Sequence, residues 1–148
     1  MTSNLPTPQL VINHQDILGT INFNLSLYVH RICHYLDLSF DHIEITFLMP
    51  SDSAQMNQQY FDNPVPTDTI TLRLSEAPLI TGDIYLCPDV IHNNANYYQS
   101  STDKELKIVL IHSILHLIDY TDDTPESAKV MAEKQHEIYR QLQLNEKT

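Results

Sequence analysis

Lys104-Glu-Leu-Lys-Ile-Val-Leu-Ile-His112-Ser-Ile-Leu-His116-Leu-Ile-Asp119-Tyr120-Thr-Asp122-Asp123-Thr124 is the stretch on which the reading of this chain turns. From Leu106 to Ile118 nearly every position is Ile, Leu or Val, which predicts a helix wrapped by protein on most sides. The polar exceptions are His112, Ser113 and His116. Four residues of helix amount to one turn plus about 40°, so both imidazoles leave the same face. Two aligned imidazoles on an apolar helix cost solvation energy unless something binds them. A divalent metal is the usual partner, because neutral imidazole at this spacing is a good zinc ligand.

The spacing alone is weak. The chain has eight histidines, and a second pair, His30 and His34, repeats it within Leu25-Ser-Leu-Tyr28-Val-His30-Arg31-Ile-Cys-His34-Tyr-Leu. That segment is an ordinary amphipathic helix with polar positions for both, so its histidines are read as surface or core-edge residues. The pair at 112 and 116 differs in the residues that come after it. Asp119, Asp122 and Asp123 cluster just past the helix end, where the chain can turn back and bring a carboxylate to the open side of a metal. Asp122 is the first choice as third ligand. Asp119 and Asp123 are its rivals, and His136 on the last helix a distant fourth.

Working outward, 148 residues are enough for one domain with a real core. No apolar run approaches the length of a membrane span. The opening Met-Thr-Ser-Asn-Leu-Pro-Thr-Pro carries no visible secretory signal. Cys33 and Cys87 fall within predicted elements and read as buried free thiols of a reducing compartment, so a cytoplasmic setting is expected. Eight Lys plus Arg against nineteen Asp plus Glu give a net charge of −11. A protein held to nucleic acid mainly by phosphate neutralisation is normally basic, so any contact with RNA here is expected to be local. With only two glycines, the turns must rely on Asn, Asp, Ser and Pro.

Gln9-Leu-Val-Ile-Asn13 predicts a strand, and residues 22–36 a helix capped by Asn22 or Asn24. Its inner stripe is Leu25, Tyr28, Val29, Ile32, Cys33 and Leu36. A strand comes next over Ile43–Leu48, then a short helix from Ser51 through Tyr60. Thr69–Leu74 alternates cleanly, with Ile70, Leu72 and Leu74 on the core face and Thr69, Thr71 and Arg73 on the wet one, as in an antiparallel or edge strand. Gly82–Cys87 is another strand, and Pro88 opens a helix to about Tyr98. After the histidine helix, Thr124-Pro125-Glu126 reads as N-cap, N1 and acidic first turn of a last helix. It carries Ala128, Met131, Ala132, Gln135, Ile138, Tyr139 and Leu142 inward. The order is strand, helix, strand, helix, strand, strand, helix, helix, helix: an α+β chain, with helices packed on a small mixed sheet.

Three protein ligands with one open position make a catalytic metal site rather than a structural one. In zinc peptidases the residue after the first histidine is a glutamate that serves as general base; here it is Ser113. That disfavours a peptidase. Taken together, the residues add up to a resemblance. His112-Ser-Ile-Leu-His116-Leu-Ile-Asp119-Tyr120-Thr-Asp122 resembles the His-Gly-x-x-His-Leu-x-Gly-Tyr-Asp-His signature of the YbeY family of metal-dependent endoribonucleases. Met56-Asn57-Gln-Gln-Tyr60 is similar to the family's Leu-Asn-x-x-Tyr, Pro66-Thr67-Asp68-Thr-Ile-Thr-Leu to its Pro-Thr-Asp strand, and Gly82-Asp83-Ile84 to its Gly-Asp-Ile.

The resemblance covers essentially the whole chain, residues 1–148, as a single metal-hydrolase domain. It implies a core related in shape to zinc peptidases and a zinc-dependent endoribonuclease acting on single-stranded RNA in ribosomal RNA maturation and ribosome quality control. One Zn²⁺ per chain would be held by His112, His116 and Asp122, which are also the expected catalytic residues. The small ribosomal subunit or its proteins would be partners, and a membrane would not. A metallopeptidase, or a non-catalytic ribosome-assembly factor with a structural metal, are the alternatives. Four departures from the pattern bear on the chemistry. Ser113 and Asp119 replace glycines, although Asp tolerates a left-handed turn. Asp122 replaces a third histidine, and an anionic ligand makes bound water less acidic. Phe61 stands where the family usually has an Arg thought to hold phosphate. Arg73 is a substitute for it as a substrate contact, or else an edge-strand charge that deters sheet pairing. Thr67 and Asp68 read equally as substrate-binding residues and as turn residues bonded to nearby backbone. Asn57 reads as a structural hydrogen-bonder.

Overall fold

Alternation in Phe40–Phe47 puts Ile43, Ile45 and Phe47 on one side of a strand and His42, Glu44 and Thr46 on the other, and only the first set is fully buried. That strand lies inside a four-stranded sheet in a computed structural model that describes residues 7–76 and 79–146. The elements are β1 (Gln9–Asn13), α1 (Leu25–Tyr35), β2 (Phe40–Phe47), α2 (Pro50–Phe61), β3 (Thr69–Arg73), β4 (Ile80–Leu86), α3 (Pro88–Tyr97), α4 (Thr102–Leu117) and α5 (Pro125–Glu146). A short 3-10 turn over Gln15–Leu18, which no sequence pattern announced, links β1 to α1. The sheet order is β1-β2-β4-β3; β1, β2 and β4 run parallel, and β3 is an antiparallel edge strand. The expected α+β class and order of elements therefore hold, and most boundaries move by only a few residues. The largest shifts are of three residues: β2 starts at Phe40 rather than Ile43, and α1 begins at Leu25 because Asn24, not Asn22, caps it by accepting from the Leu27 N–H at 2.9 Å.

The core lies between one face of the sheet and helices α1, α4 and α5, with Leu106, Leu110, Ile111 and Ile114 fully buried at its centre. Helix α4 packs closely on β4 at position 82: a Cβ there would stand 2.5 Å from Leu117 Cδ2, so that side chain would have to shift. Ser101 caps α4 by accepting from the Lys104 N–H at 3.1 Å, which starts the helix at Thr102, two residues before Lys104.

One expectation about faces is corrected. The register pairs Thr69 with Leu86, Thr71 with Ile84 and Arg73 with Gly82, so the Thr/Arg row of β3 shares the sheet face that α4 packs against. Ile70 and Leu72 look the other way, alongside Tyr85 and Asp83, and Leu74 is 58% exposed beyond the strand end. At the sheet edge α4 thus meets a polar row, and the gap between the two is an open cleft. Cys87 likewise lies just past β4, at the N-cap of α3; it and Cys33 are buried free thiols.

Candidate metal centre

The last turn of α4 builds the site. Asp119, at φ 74°, takes the left-handed position just past the helix. The Asp119 N–H bonds to His116 O at 3.2 Å and the Tyr120 N–H to Leu115 O at 3.1 Å, the paired bonds of a Schellman stop. This reversal carries Tyr120 O to 3.0 Å from His116 Nδ1 and brings Asp122 back over the helix face. From α5, Gln135 Oε1 lies 2.9 Å from His112 Nδ1.

With each Nδ1 donating to an oxygen, both Nε2 atoms carry lone pairs. They face one another at 3.0 Å, and Asp122 Oδ2 lies 3.6 Å from the first and 3.9 Å from the second. The three ligand atoms all fall within 4.8 Å of one another, the one such group of His, Cys, Asp and Glu among the described residues. Two lone pairs and a carboxylate pointed at one spot repel unless a cation sits among them, so the donor set fits a divalent ion of zinc type. Burial, and next the neighbouring His112, hold the His116 imidazolium below its ordinary pKa, against the opposing pull of Asp122 and the Tyr120 carbonyl. His116 is therefore neutral near pH 7, the form that binds metal.

The other candidate residues divide between the cleft and the surface. Asp119 does not join the cluster: its carboxylate is 83% exposed and pairs with Arg73 Nη1 at 2.9 Å. Asp123 accepts from Ser127 Oγ at 3.3 Å, in the turn that Thr124 closes as N-cap of α5. His136 is exposed. Arg73, Thr67 and Asp68 all border the cleft, a space of about 550 Å³ that also contains His112, His116, Asp122 and Phe61 on its walls. Arg73 additionally donates from Nε to Ser75 O at 2.8 Å. Thr67 N–H bonds to Ser53 Oγ, and Asp68 Oδ1 accepts from Thr69 N–H at 2.8 Å, which are local roles. Asn57 is structural: its Nδ2 donates to Val65 O at 2.9 Å. His30 and His34 are exposed, and His30 Nδ1 bonds to Ser26 O of its own helix.

Sequence reasoning misses two contributors. Gln135 reads in the sequence only as part of an inner stripe, although an amide between Met131 and Ile138 is a signal in itself. Ser113, fully buried, donates to Val109 O and meets Thr69 Oγ1 at 2.8 Å, tying α4 to the edge strand.

Comparison with known proteins gives the chain's family and its fold. A sequence model of the family described as Endoribonuclease YbeY matches residues 12–143. A Chlorobium luteolum protein named Endoribonuclease YbeY is 37% identical over 90 residues, covering 61% of this chain and 66% of its own. One of the same name from Thermotoga neapolitana is 42% identical over 93 residues, covering 62% and 60%. The match spans 60–66% of the length of these curated relatives, less than two thirds. A Thermotoga maritima protein solved in solution shares the fold with a TM-score of 0.54 at 22% identity, over 93% of both chains.

Proposed function

The chain belongs to the YbeY family, and from that premise we propose that it is a metal-dependent endoribonuclease, a hydrolase that cuts single-stranded RNA in ribosomal RNA maturation and ribosome quality control. The observation that carries the proposal is the convergence of His112, His116 and Asp122 within 4.8 Å in an open cleft. These three would hold one Zn²⁺ per chain through both Nε2 atoms and one carboxylate oxygen. When bound, the ion supplies a Lewis acid that activates water and offsets charge on a phosphoryl oxygen.

The chain's own residues do the rest. Gln135 Oε1 and the Tyr120 carbonyl fix the tautomer and tilt of the two imidazoles. Arg73 is the guanidinium on the cleft wall, available to a phosphate once it leaves Asp119. Thr67 and Asp68 border the same space and complete the proposed substrate-binding set. Helix α4 has no carboxylate beside His112: Ser113 is buried and bonded to Val109 O, so the general base of a peptidase is missing. The proposal extends to one metal-hydrolase domain over residues 1–148, working in the cytoplasm on ribosomal RNA, with the small ribosomal subunit as partner. Among the described residues no helix is long and apolar enough to cross a membrane.

The deciding experiment is RNA cleavage with and without EDTA, on wild type and His112→Ala, together with zinc content. Wild type is expected to bind about one zinc per chain and to cleave single-stranded RNA until chelated; His112→Ala loses both. One observation favours a second reading, a non-catalytic ribosome-assembly factor: the guanidinium of the cleft is already neutralised by Asp119. Bound zinc and ribosome co-sedimentation without chelator-sensitive cleavage would select it.

A further inference from the structure

The cleft wall includes an exposed aromatic side chain with no polar group of its own. Phe61, the last residue of α2, borders the same space as His112, His116 and Asp122 and is 58% exposed. Tyr60 and Val65, close by in the chain, are 48% and 55% exposed. Of the three, Phe61 lines the cleft and offers a ligand there an exposed aromatic face. Its backbone is nonetheless held firmly. Asp62, at φ 54°, stops α2 with its N–H on Asn57 O and Gln58 O. Gln58 Nε2 donates to Asp62 Oδ1 at 2.9 Å, and Asn57 Nδ2 ties down Val65 O. The ring is therefore presented from a fixed helix end rather than from a loose loop.

The charges in the cleft sharpen the question of what covers it. Its lining carries Asp68, Asp119 and Asp122 against Arg73, which Asp119 engages at 2.9 Å. Over the whole chain the net charge is −11. Phosphate neutralisation, the usual source of affinity for RNA, is scarce here. Stacking of a base on an aromatic face needs no charge and tolerates any sequence.

We propose that Phe61 is a nucleobase-stacking platform, on which an unpaired base of the RNA strand lies while the neighbouring backbone enters the cleft. The inference rests on the ribonuclease reading of the same site. It gives that reading a source of single-strand preference, since a base must be unstacked from its own duplex to reach the ring. It also predicts that affinity resides in bases more than in phosphates.

The test uses single-stranded RNA oligonucleotides containing one 2-aminopurine, whose fluorescence is quenched on stacking, and matched oligonucleotides with abasic positions. Binding is measured on EDTA-treated protein so that the strand survives, and KM and kcat on the zinc-loaded protein. Phe61→Ala is expected to weaken binding about tenfold, within the roughly 5- to 150-fold that one stacked base supplies. The same change raises KM in proportion with little effect on kcat. Phe61→Trp restores quenching and affinity, Phe61→Leu does not, and abasic RNA binds wild type and Phe61→Ala alike. Because the side chain is exposed, melting curves of the variants are expected to overlay the wild type. If wild type cleaves RNA while Phe61→Ala or Phe61→Leu binds it within twofold of wild type, stacking is wrong, the ribonuclease reading stands, and the rim is left as a protein-docking surface. If wild type neither binds nor cleaves any RNA, both fall together.

Discussion

Replacing Gly82 with alanine tests how tightly the sheet clamps the metal-binding turn. Gly82 lies in the inner strand β4, hydrogen-bonded between β2 and β3, so its backbone cannot retreat. An added Cβ would meet Leu117 Cδ2 at 2.5 Å, Cδ1 at 3.1 Å and Cγ at 3.4 Å. Leu117 is fully buried, so its branched end cannot swing into free space, and the strain passes to the α4 turn carrying His116. Overpacking of this kind costs about 1–3 kcal/mol, while restricting the unfolded chain returns about 0.4–1 kcal/mol. The net expectation is a loss of about 1–2 kcal/mol, or roughly 2–8 °C in Tm, with weaker zinc binding as His116 is displaced. Thermal melts with and without zinc measure both effects. A double-mutant cycle isolates the contact: Leu117→Ala alone should cost about 2–5 kcal/mol, but adding Gly82→Ala to it should cost nothing further. Simple additivity of the two substitutions, or a Gly82→Ala protein as stable as wild type, would refute the clash.

Asp119→Asn keeps a residue that tolerates the left-handed turn and removes the charge that holds Arg73. An exposed pair of this type is worth no more than about 1 kcal/mol, so stability should barely change, while affinity for single-stranded RNA at low salt rises several-fold; an unchanged anisotropy titration would count against Arg73 as a phosphate contact. Ser113→Ala removes the hydroxyl bonded to Val109 O and Thr69 Oγ1 and is expected to cost about 1 kcal/mol in urea unfolding, whereas equal stability would mean that α4 and β3 are held together without it. Burial pushes the Cys33 thiol up from 9.0 to about 12. Its contribution to stability is therefore fully present below pH 9.0 and drains away as the pH rises from there toward about 12. At pH 8 only the unfolded chain should react with iodoacetamide at this residue, as peptide mass spectrometry would show; fast alkylation of the native protein would contradict the buried assignment.

How far the site was legible is best judged on the two histidine pairs, which share one spacing. Periodicity places each pair on one face of a helix, and at that level His30/His34 and His112/His116 are equivalent. What separates them is the chain beyond the helix. After α1, with both imidazoles exposed, no carboxylate among the described residues returns to them and His30 spends its Nδ1 on its own helix. After α4, a left-handed Asp119 turns the chain so that a backbone carbonyl and Asp122 reach the imidazoles. The run of Asp residues signalled that return, because acidic turn formers past a helix end are a local feature. Gln135 arrives from an element packed across α4, and its aim at His112 depends on the crossing of two helices, which no local pattern encodes. The same limit explains β3: alternation reveals that a strand has two unlike faces, but which one meets α4 is set by its register against β4. Sequence alone assigns the apolar face to the core, because burial usually rewards it. In this edge strand Ile70 is still the buried residue, but outside the main core, while Thr69 and Thr71 share the face of α4 and accompany polar groups that an Ile or Leu row would leave without partners.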